Sequence, residues 1–364
     1  MTRRLYLRPT GFVDAPFGHD GQVLRLAGGL CWVSAVEAIE VAEDRRVRQT
    51  LVPVERLEHF LDGLDPDLAR EGRAILARLT APRAPLAMGA RTIRLDQPQA
   101  MAILNMTPDS FSDGGRQDDP AGAAAAGMRM LEAGAAVLDI GGESTRPGAA
   151  IVWEEDEIAR VRPVIERVAA AGGAISIDTR KAGVMAAALA AGAGLVNDVS
   201  ALLWDPEALP LVAARGCPVV LMHHQGDPTN MQTNPTYGDV LIEVYDWLEE
   251  RIEAAVAAGV DRAHILVDPG VGFGKTLRHN LALLNGLSLF HGLGCPIVLG
   301  ASRKRFIGAL ANEAGVEARL GGSVAVALLG AAQGVQLLRV HDAFETVQAL
   351  RVWRGLRDEA LSPL

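Results

Sequence analysis

The residues best suited to chemistry fall at eight recurring places, each just past a short apolar run. They are Asn105; Glu143, Thr145 and Arg146; Asp178 and Thr179; Asn197 and Asp198; His223, His224 and Gln225; Asp268; Ser302 to Arg305; and Arg339, His341 and Asp342. Polar groups gathered past strand ends, with glycines that let backbone approach a ligand, are how an α/β barrel builds one pocket from scattered segments. Asp178, Asn197 and Asp268, at or just inside the run ends, match the donors and acceptors of an amino-pyrimidinone edge. Taken singly, each has an alternative reading as a partner for neighbouring backbone. Lys304, Arg339 and His341 bring positive charge to the last two units, where barrels commonly hold phosphate. Arg303 and Arg305 read as a solvated charge run.

The elements that must position these groups are eight apolar runs: 101–104, 136–140, 174–177, 194–196, 218–222, 265–267, 296–299 and 335–338. Between them lie segments of helical length such as 121–133, 154–171, 181–191 and 239–258. Continuous apolar strands alternating with helices indicate a parallel sheet covered on both faces. Eight such units predict an α/β fold, a (β/α)8 TIM barrel over residues 99–360, with an open doubly wound sheet as the rival. Residues 1–80 differ, with the charged run Glu43 to Arg46 and an amphipathic helix from about Val54 to Leu79 broken at Asp65-Pro66. They are expected to form a small N-terminal α+β extension of unknown role. The prolines at 82 and 85 break helix periodicity, so residues 81–98 read as a linker and entry to the barrel.

The chain has 364 residues, 49% of them hydrophobic, and a formal net charge of −9. That length supports a sizeable core, and the acidic balance argues against nucleic acid and anionic membrane as partners. No run approaches the ~18 apolar residues of a membrane span. Cys31, Cys217 and Cys295 lie far apart and read as inert thiols in a reducing cytoplasm. Two motif matches fail on spacing. Gly270 to Thr276 resembles a nucleotide loop, but a P-loop would need glycine where Pro269 stands. Adjacent His223 and His224 on a strand would point to opposite faces, against a zinc site.

Longer segments in order carry a more specific signal: Asn105–Gly115, Gly141–Pro147, Ser176–Thr179, Asn197–Ser200, Leu221–Gly226 with Met231-Gln232, Asp268–Lys275, Ser302–Lys304 and Arg339–Asp342. Together, over about residues 85–360, they resemble the dihydropteroate synthase family. The resemblance implies a pterin-binding TIM barrel, usually a homodimer. Its members join 6-hydroxymethyl-7,8-dihydropterin diphosphate to 4-aminobenzoate, releasing diphosphate and giving 7,8-dihydropteroate for folate synthesis. It further implies that Asp178, Asn197, Asp268 and Lys304 bind the pterin, with Met222 and Phe273 along its walls. Asn105 would coordinate Mg²⁺, and Thr145, Arg339 and His341 would hold the diphosphate. Phe111, Thr145, Pro147, Lys304 and Arg305 would shape the 4-aminobenzoate pocket. Asp178, Lys304 and Asn105 are the expected catalytic groups.

Departures from the family pattern are small: Met106 for valine, Ala201 where glycine is common, His224 at a variable place, and Arg305 where some members have serine. Two rivals remain. A pterin-dependent methyltransferase barrel would share the pterin rim but has no use for a diphosphate wall. A catalytically idle pterin-binding paralogue would be expected to lose the loop and diphosphate residues that this chain retains.

Overall fold

The computed structural model describes residues 3–106, 119–144, 151–226 and 233–362. The chain begins with a four-stranded antiparallel sheet: β1 (Arg3–Val13), β2 (Leu24–Arg25), β3 (Trp32–Ala42) and β4 (Arg45–Pro53), with β3 paired to all the others. Glu43 and Asp44, both at positive φ (50° and 59°), make the two-residue turn from β3 to β4, where the backbone twist of a tight hairpin demands such angles. The expected amphipathic segment forms two helices, α1 (Leu57–Asp62) and α2 (Pro66–Thr80). Asp65 caps α2 by accepting from the Asp67 amide, and Pro66 sits at the first helical position, where its missing N–H costs nothing. The buried stripe Leu68, Gly72, Ile75 and Leu79 follows helical spacing and packs onto Leu5, Leu7, Val36 and Ala38 of the sheet.

The opposite face of that sheet lies on the barrel. Tyr6, Ile39 and Val41 join the main core, and the Tyr6 ring meets Tyr245 edge-on with centroids 5.3 Å apart. The Tyr6 hydroxyl donates to Asp246 at 2.7 Å, and Arg4 reaches Asp246 at 2.7 Å and Glu249 at 2.5 Å. Burial and a neighbouring carboxylate raise the Asp246 pKa to about 6 against the opposing pull of Tyr6 and Arg4. The proline-rich linker is pinned by Arg83, buried, which donates to the carbonyls of Arg78, Ala81 and His291.

A short hairpin, β5 (Leu86–Met88) and β6 (Arg91–Ile93), precedes the barrel strands β7 (Gln99–Asn105), β8 (Val137–Gly141), β9 (Ile175–Asp178), β10 (Leu195–Asp198), β11 (Val219–Met222), β12 (Ile265–Asp268), β13 (Val298–Gly300) and β14 (Leu337–Val340). All eight pair in parallel in the order β12-β11-β10-β9-β8-β7-β14-β13, and a bridge between Val267 and Ile297 joins the two ends into a barrel. Helices α3 (Pro120–Ala133), α4 (Glu154–Ala170), α5 (Ala182–Ala191), α6 (Ala208–Arg215), α7 (Val240–Ala257), α8 (Leu277–Asn285), α9 (Arg305–Leu310), α10 (Leu320–Ala332) and α11 (Ala343–Ala360) surround it. No described helix is long and apolar enough to cross a membrane.

Side chains alternate along each strand, so every second residue points inward. At the lower end the inward layer is apolar: Met101, Val137, Leu195, Val220, Leu266, Val298 and Leu337, sealed by Leu86, Met88, Ile93 and Leu95 from the hairpin segment. Two residues further along β8, β10, β12 and β14, and four further along β7, the inward layer turns polar. The alternate, outward residues such as Leu138, Ile140, Ile177, Val196, Leu221 and Val267 are buried under the helices. Each such side chain contributes roughly 1.5–3 kcal/mol of burial, and helix cover on one face with barrel packing on the other explains the unbroken apolar runs.

The docking of the extension gives a test of what it does for stability. Tyr6→Ala removes a buried ring and leaves Asp246 without its hydroxyl donor, so urea melts should show a loss of about 3–5 kcal/mol while turnover of the remaining folded protein stays within about twofold.

Candidate active site at the barrel mouth

The polar inward layer carries Asn105 (β7), Asp139 and Gly141 (β8), Asp178 (β9), Asn197 (β10), Met222 (β11), Asp268 (β12), Gly300 (β13) and Arg339 (β14). The two glycines keep the wall thin where carboxylates stand. A methyl group on Gly141 would lie 3.4 Å from the Asp178 side chain, and one on Gly300 would lie 3.5 Å from Asp268 Oδ2.

Arg339 organises this layer. Its Nε donates to Asp139 Oδ2 and its Nη2 to Asp178 Oδ2, both at 2.6 Å. Asn197 Nδ2 also donates to Asp139 Oδ2, at 3.1 Å. Burial pushes the Asp178 carboxyl up to about 7, with Arg339 opposing and Asp139 adding to the rise. The second oxygens of Asp139 and Asp178 are buried without a donor among the described residues. Acceptors left bare in a dry mouth are costly unless a ligand supplies N–H groups. Asp268 is likewise raised by burial, against the pull of Lys304 and of the Gly270 amide, which donates to its Oδ1 at 2.7 Å.

Lys304 leans over this carboxylate layer from the segment after β13. Its ammonium lies 4.4 Å from the Phe273 ring centroid and donates to the Val271 carbonyl, and burial lowers its pKa to about 8. Phe273 is half-buried and Met222 buried, so both offer apolar surface at the same depth. His341 Nδ1 lies 3.2 Å from Ser302 Oγ, which ties the ends of β13 and β14. Arg305 is exposed at the start of α9. Phe111, Thr145 and Pro147, with Arg146, Met231 and Gln232, lie outside the described residues.

The glycine-rich Asp268–Lys275 stretch is shaped by packing. Gly270 (φ 67°) passes so close to the end of β11 that a Cβ there would sit 1.8 Å from the His223 carbonyl oxygen. Gly274 (φ 62°) makes the same approach to the Gln225 carbonyl, at 2.3 Å, and only glycine combines that angle with that closeness. Lys275 then plugs back under the loop, its Nζ 2.8 Å from His223 Nδ1 and 3.0 Å from the Phe273 carbonyl. Both groups are buried, and burial drives both toward their neutral forms.

Three expectations need correction. His223 and His224 do not alternate across a strand, because β11 ends at Met222; both rings pack on Trp247, with centroids 4.9 and 5.9 Å away. Arg303 is not only a solvated charge, since its half-buried guanidinium also holds Asp342 at 2.5 Å. Glu143 turns away from the mouth: it accepts from Lys181 at 3.2 Å, Arg180 at 3.3 Å and the Val152 amide at 3.0 Å. Asp139 was missed altogether, although its parity with Val137 and Gly141 places it on the inward face.

A family model described as pterin binding enzyme matches residues 101–341. A dihydropteroate synthase of Escherichia coli (strain K12) is 46% identical over 262 residues, which is 72% of this chain and 92% of that relative. The chain belongs to the dihydropteroate synthase family. A solved Xanthomonas albilineans dihydropteroate synthase with 4-aminobenzoic acid superposes with a TM-score of 0.71 at 50% identity, covering 76% of this chain and 98% of the other. Another from that organism, in complex with 7,8-dihydropteroate, gives 0.68 at 47% identity, covering 75% and 98%. The family match begins after β1 to β6, so the dihydropteroate synthase likeness is carried by the barrel whose mouth is described above.

The close approach of Gly270 is a direct probe of this architecture. Gly270→Ala should cost more than about 2 kcal/mol in thermal or urea melts through strain and overlap, and raise the KM for the pterin substrate by displacing Asp268 and Phe273.

Proposed function

We propose that this chain is a transferase of folate biosynthesis that condenses 6-hydroxymethyl-7,8-dihydropterin diphosphate with 4-aminobenzoate, giving 7,8-dihydropteroate and diphosphate. The observation that carries the reading is the inward polar layer of Asp139, Asp178, Asn197, Asp268 and Arg339, with Lys304 over it. Bare carboxylate oxygens beside an amide suit the N–H-rich edge of a pterin, and adjacent cations suit its diphosphate.

In this reading Asp178, Asn197, Asp268 and Lys304 take the pterin, with Met222 and Phe273 against its ring. Arg339 has five N–H donors, so after its bonds to Asp139 and Asp178 it keeps donors for diphosphate oxygens alongside Thr145 and His341. Phe111, Thr145, Pro147, Lys304 and Arg305 form the 4-aminobenzoate pocket.

The carbon–oxygen bond to the diphosphate breaks first and the leaving group takes the electron pair. The cation left on the pterin methylene is stabilised by the Asp178 carboxylate. The aniline nitrogen attacks with its lone pair to form the carbon–nitrogen bond, and its proton passes to the departed diphosphate or to water, so no strong base is needed. Lys304 and Arg339 offset the charge growing on the leaving group.

Asn105 offers one amide at the end of β7, and the described residues hold no cluster of three or more His, Cys, Asp or Glu for a metal. A cation with a single protein ligand that keeps its waters and takes phosphate oxygens is Mg²⁺. Asn105 would hold it, and its charge would ease diphosphate departure. A homodimer is supported by the exposed stripe Phe344, Val352 and Leu356 along α11, which is apolar surface without cover in one chain. Free Cys31, Cys217 and Cys295 fit the cytoplasm.

Purified protein given the pterin diphosphate, 4-aminobenzoate and Mg²⁺ should release diphosphate and form dihydropteroate. Chelation should suppress the reaction and added Mg²⁺ restore it; no product with all components present overturns the reading.

Asp178 gives a second test. Its raised pKa means that the ionised form, which the cation requires, is lost as pH falls through about 7. The kcat/KM for the pterin diphosphate should therefore rise with pH up to that region. Asp178→Asn should abolish that limb and lower kcat by about 10²-fold or more while changing pterin affinity far less. Equal losses in both would remove the electrostatic role.

A further inference from the structure

We propose that Asp139 is a positioning residue of the pterin site, setting through one oxygen both the orientation of the Asn197 amide and the plane of the Arg339 guanidinium. The inference rests on the dihydropteroate synthase reading and gives Asp139, counted there only as one member of the polar layer, a role of its own.

Asp139 stands in the middle of β8, fully buried, in a run otherwise made of Val137, Leu138, Ile140 and Gly141. A carboxylate there is costly, and it is held only by groups of the site itself. Its Oδ2 accepts from Arg339 Nε at 2.6 Å and from Asn197 Nδ2 at 3.1 Å. A carboxylate accepts and does not donate, so the Asn197 side facing it is the NH2 group. Because the amide is planar, its carbonyl oxygen is turned away from Asp139 and offered to a donor elsewhere. Without Asp139, nothing else shown on Asn197 chooses between the two amide orientations, and half of them would meet a ligand N–H with another N–H.

The same oxygen sets Arg339. With Nε on Asp139 and Nη2 on Asp178, the fork is fixed at two corners, and its plane is set across β8, β9 and β14. A guanidinium held only by Asp178 would pivot about that single contact. Asp139 thus couples three residues placed on the pterin and the diphosphate, while its other oxygen stays buried without a donor among the described residues.

The groups acting on Asp178 are Arg339, Asp139, Glu157 and Asp198. Removing the Asp139 charge takes away a like charge and leaves Arg339 to Asp178, and both effects favour the ionised Asp178.

Asp139→Leu, which removes both oxygens at similar size, is expected to raise the KM for the pterin diphosphate about tenfold while the KM for 4-aminobenzoate stays within about twofold. The acidic limb of kcat/KM should move to lower pH, a shift that a general loosening of the fold would not produce. Where Asp139→Leu does not fold, Asp139→Glu keeps the charge but displaces the oxygen, and should show the same pterin-selective rise in KM. Unchanged kinetics in either folded variant, or equal rises in both KM values with an unmoved pH limb, would overturn the role of Asp139. Absence of product from the wild-type protein would instead overturn the reading of the reaction, so the two failures are told apart.

Discussion

A layer of buried carboxylates can exist above an apolar barrel only if cations reach it from inside the same wall. Asp139, Asp178 and Asp268 lie within one inward layer, and Arg339 and Lys304 are the cations that enter it. Burial pushes Asp178 and Asp268 toward neutrality and Lys304 toward losing its proton, and the mutual attraction pulls the other way. The balance leaves Asp178 near its midpoint in neutral solution rather than firmly ionised. The rest of the mouth follows from that balance. Gly141 and Gly300 leave open the space beside Asp178 and Asp268, and Met222 and Phe273 put apolar surface at the same depth.

Precision in this layer comes from loops that are locked from beneath. The Asp268–Lys275 stretch has nucleotide-loop composition, yet its glycines serve close backbone contact with the residues after β11, and Lys275 fastens it to His223. Glu143 plays a comparable part after β8, tying Val152, Arg180 and Lys181 together behind the mouth. Residues that look reactive in a list of motifs are here the supports that hold the reacting groups still.

The eight strands and their helices were legible because a strand buried on both faces must be apolar throughout, and such runs are visible in the sequence. The groups at their ends were legible for the same reason: they are where the apolar run stops. What stayed hidden depends on contacts between distant residues. Arg303 meets Asp342, His223 meets Lys275, and Arg4 and Tyr6 meet Asp246 across more than half the chain. No spacing rule records such meetings. Asp139 is different, since alternation along Val137 to Gly141 marks it as inward; a charged residue inside an apolar strand is the signal, and the surrounding run 136–140 hides it. Phe111, Thr145 and Pro147 stand outside the described residues, so the sequence pattern remains their warrant.

The lower end of the barrel has a consequence for traffic. Among the described residues, Leu86, Met88, Ile93 and Leu95 close it with the apolar lower layer, so the mouth is at once the door in and the door out. Whatever occupies the depth of Asp178 and Asn197 must arrive before anything that settles above it, and must wait for its neighbour to go. A chamber with a single door imposes an order of entry and exit by position alone, before any affinity is considered.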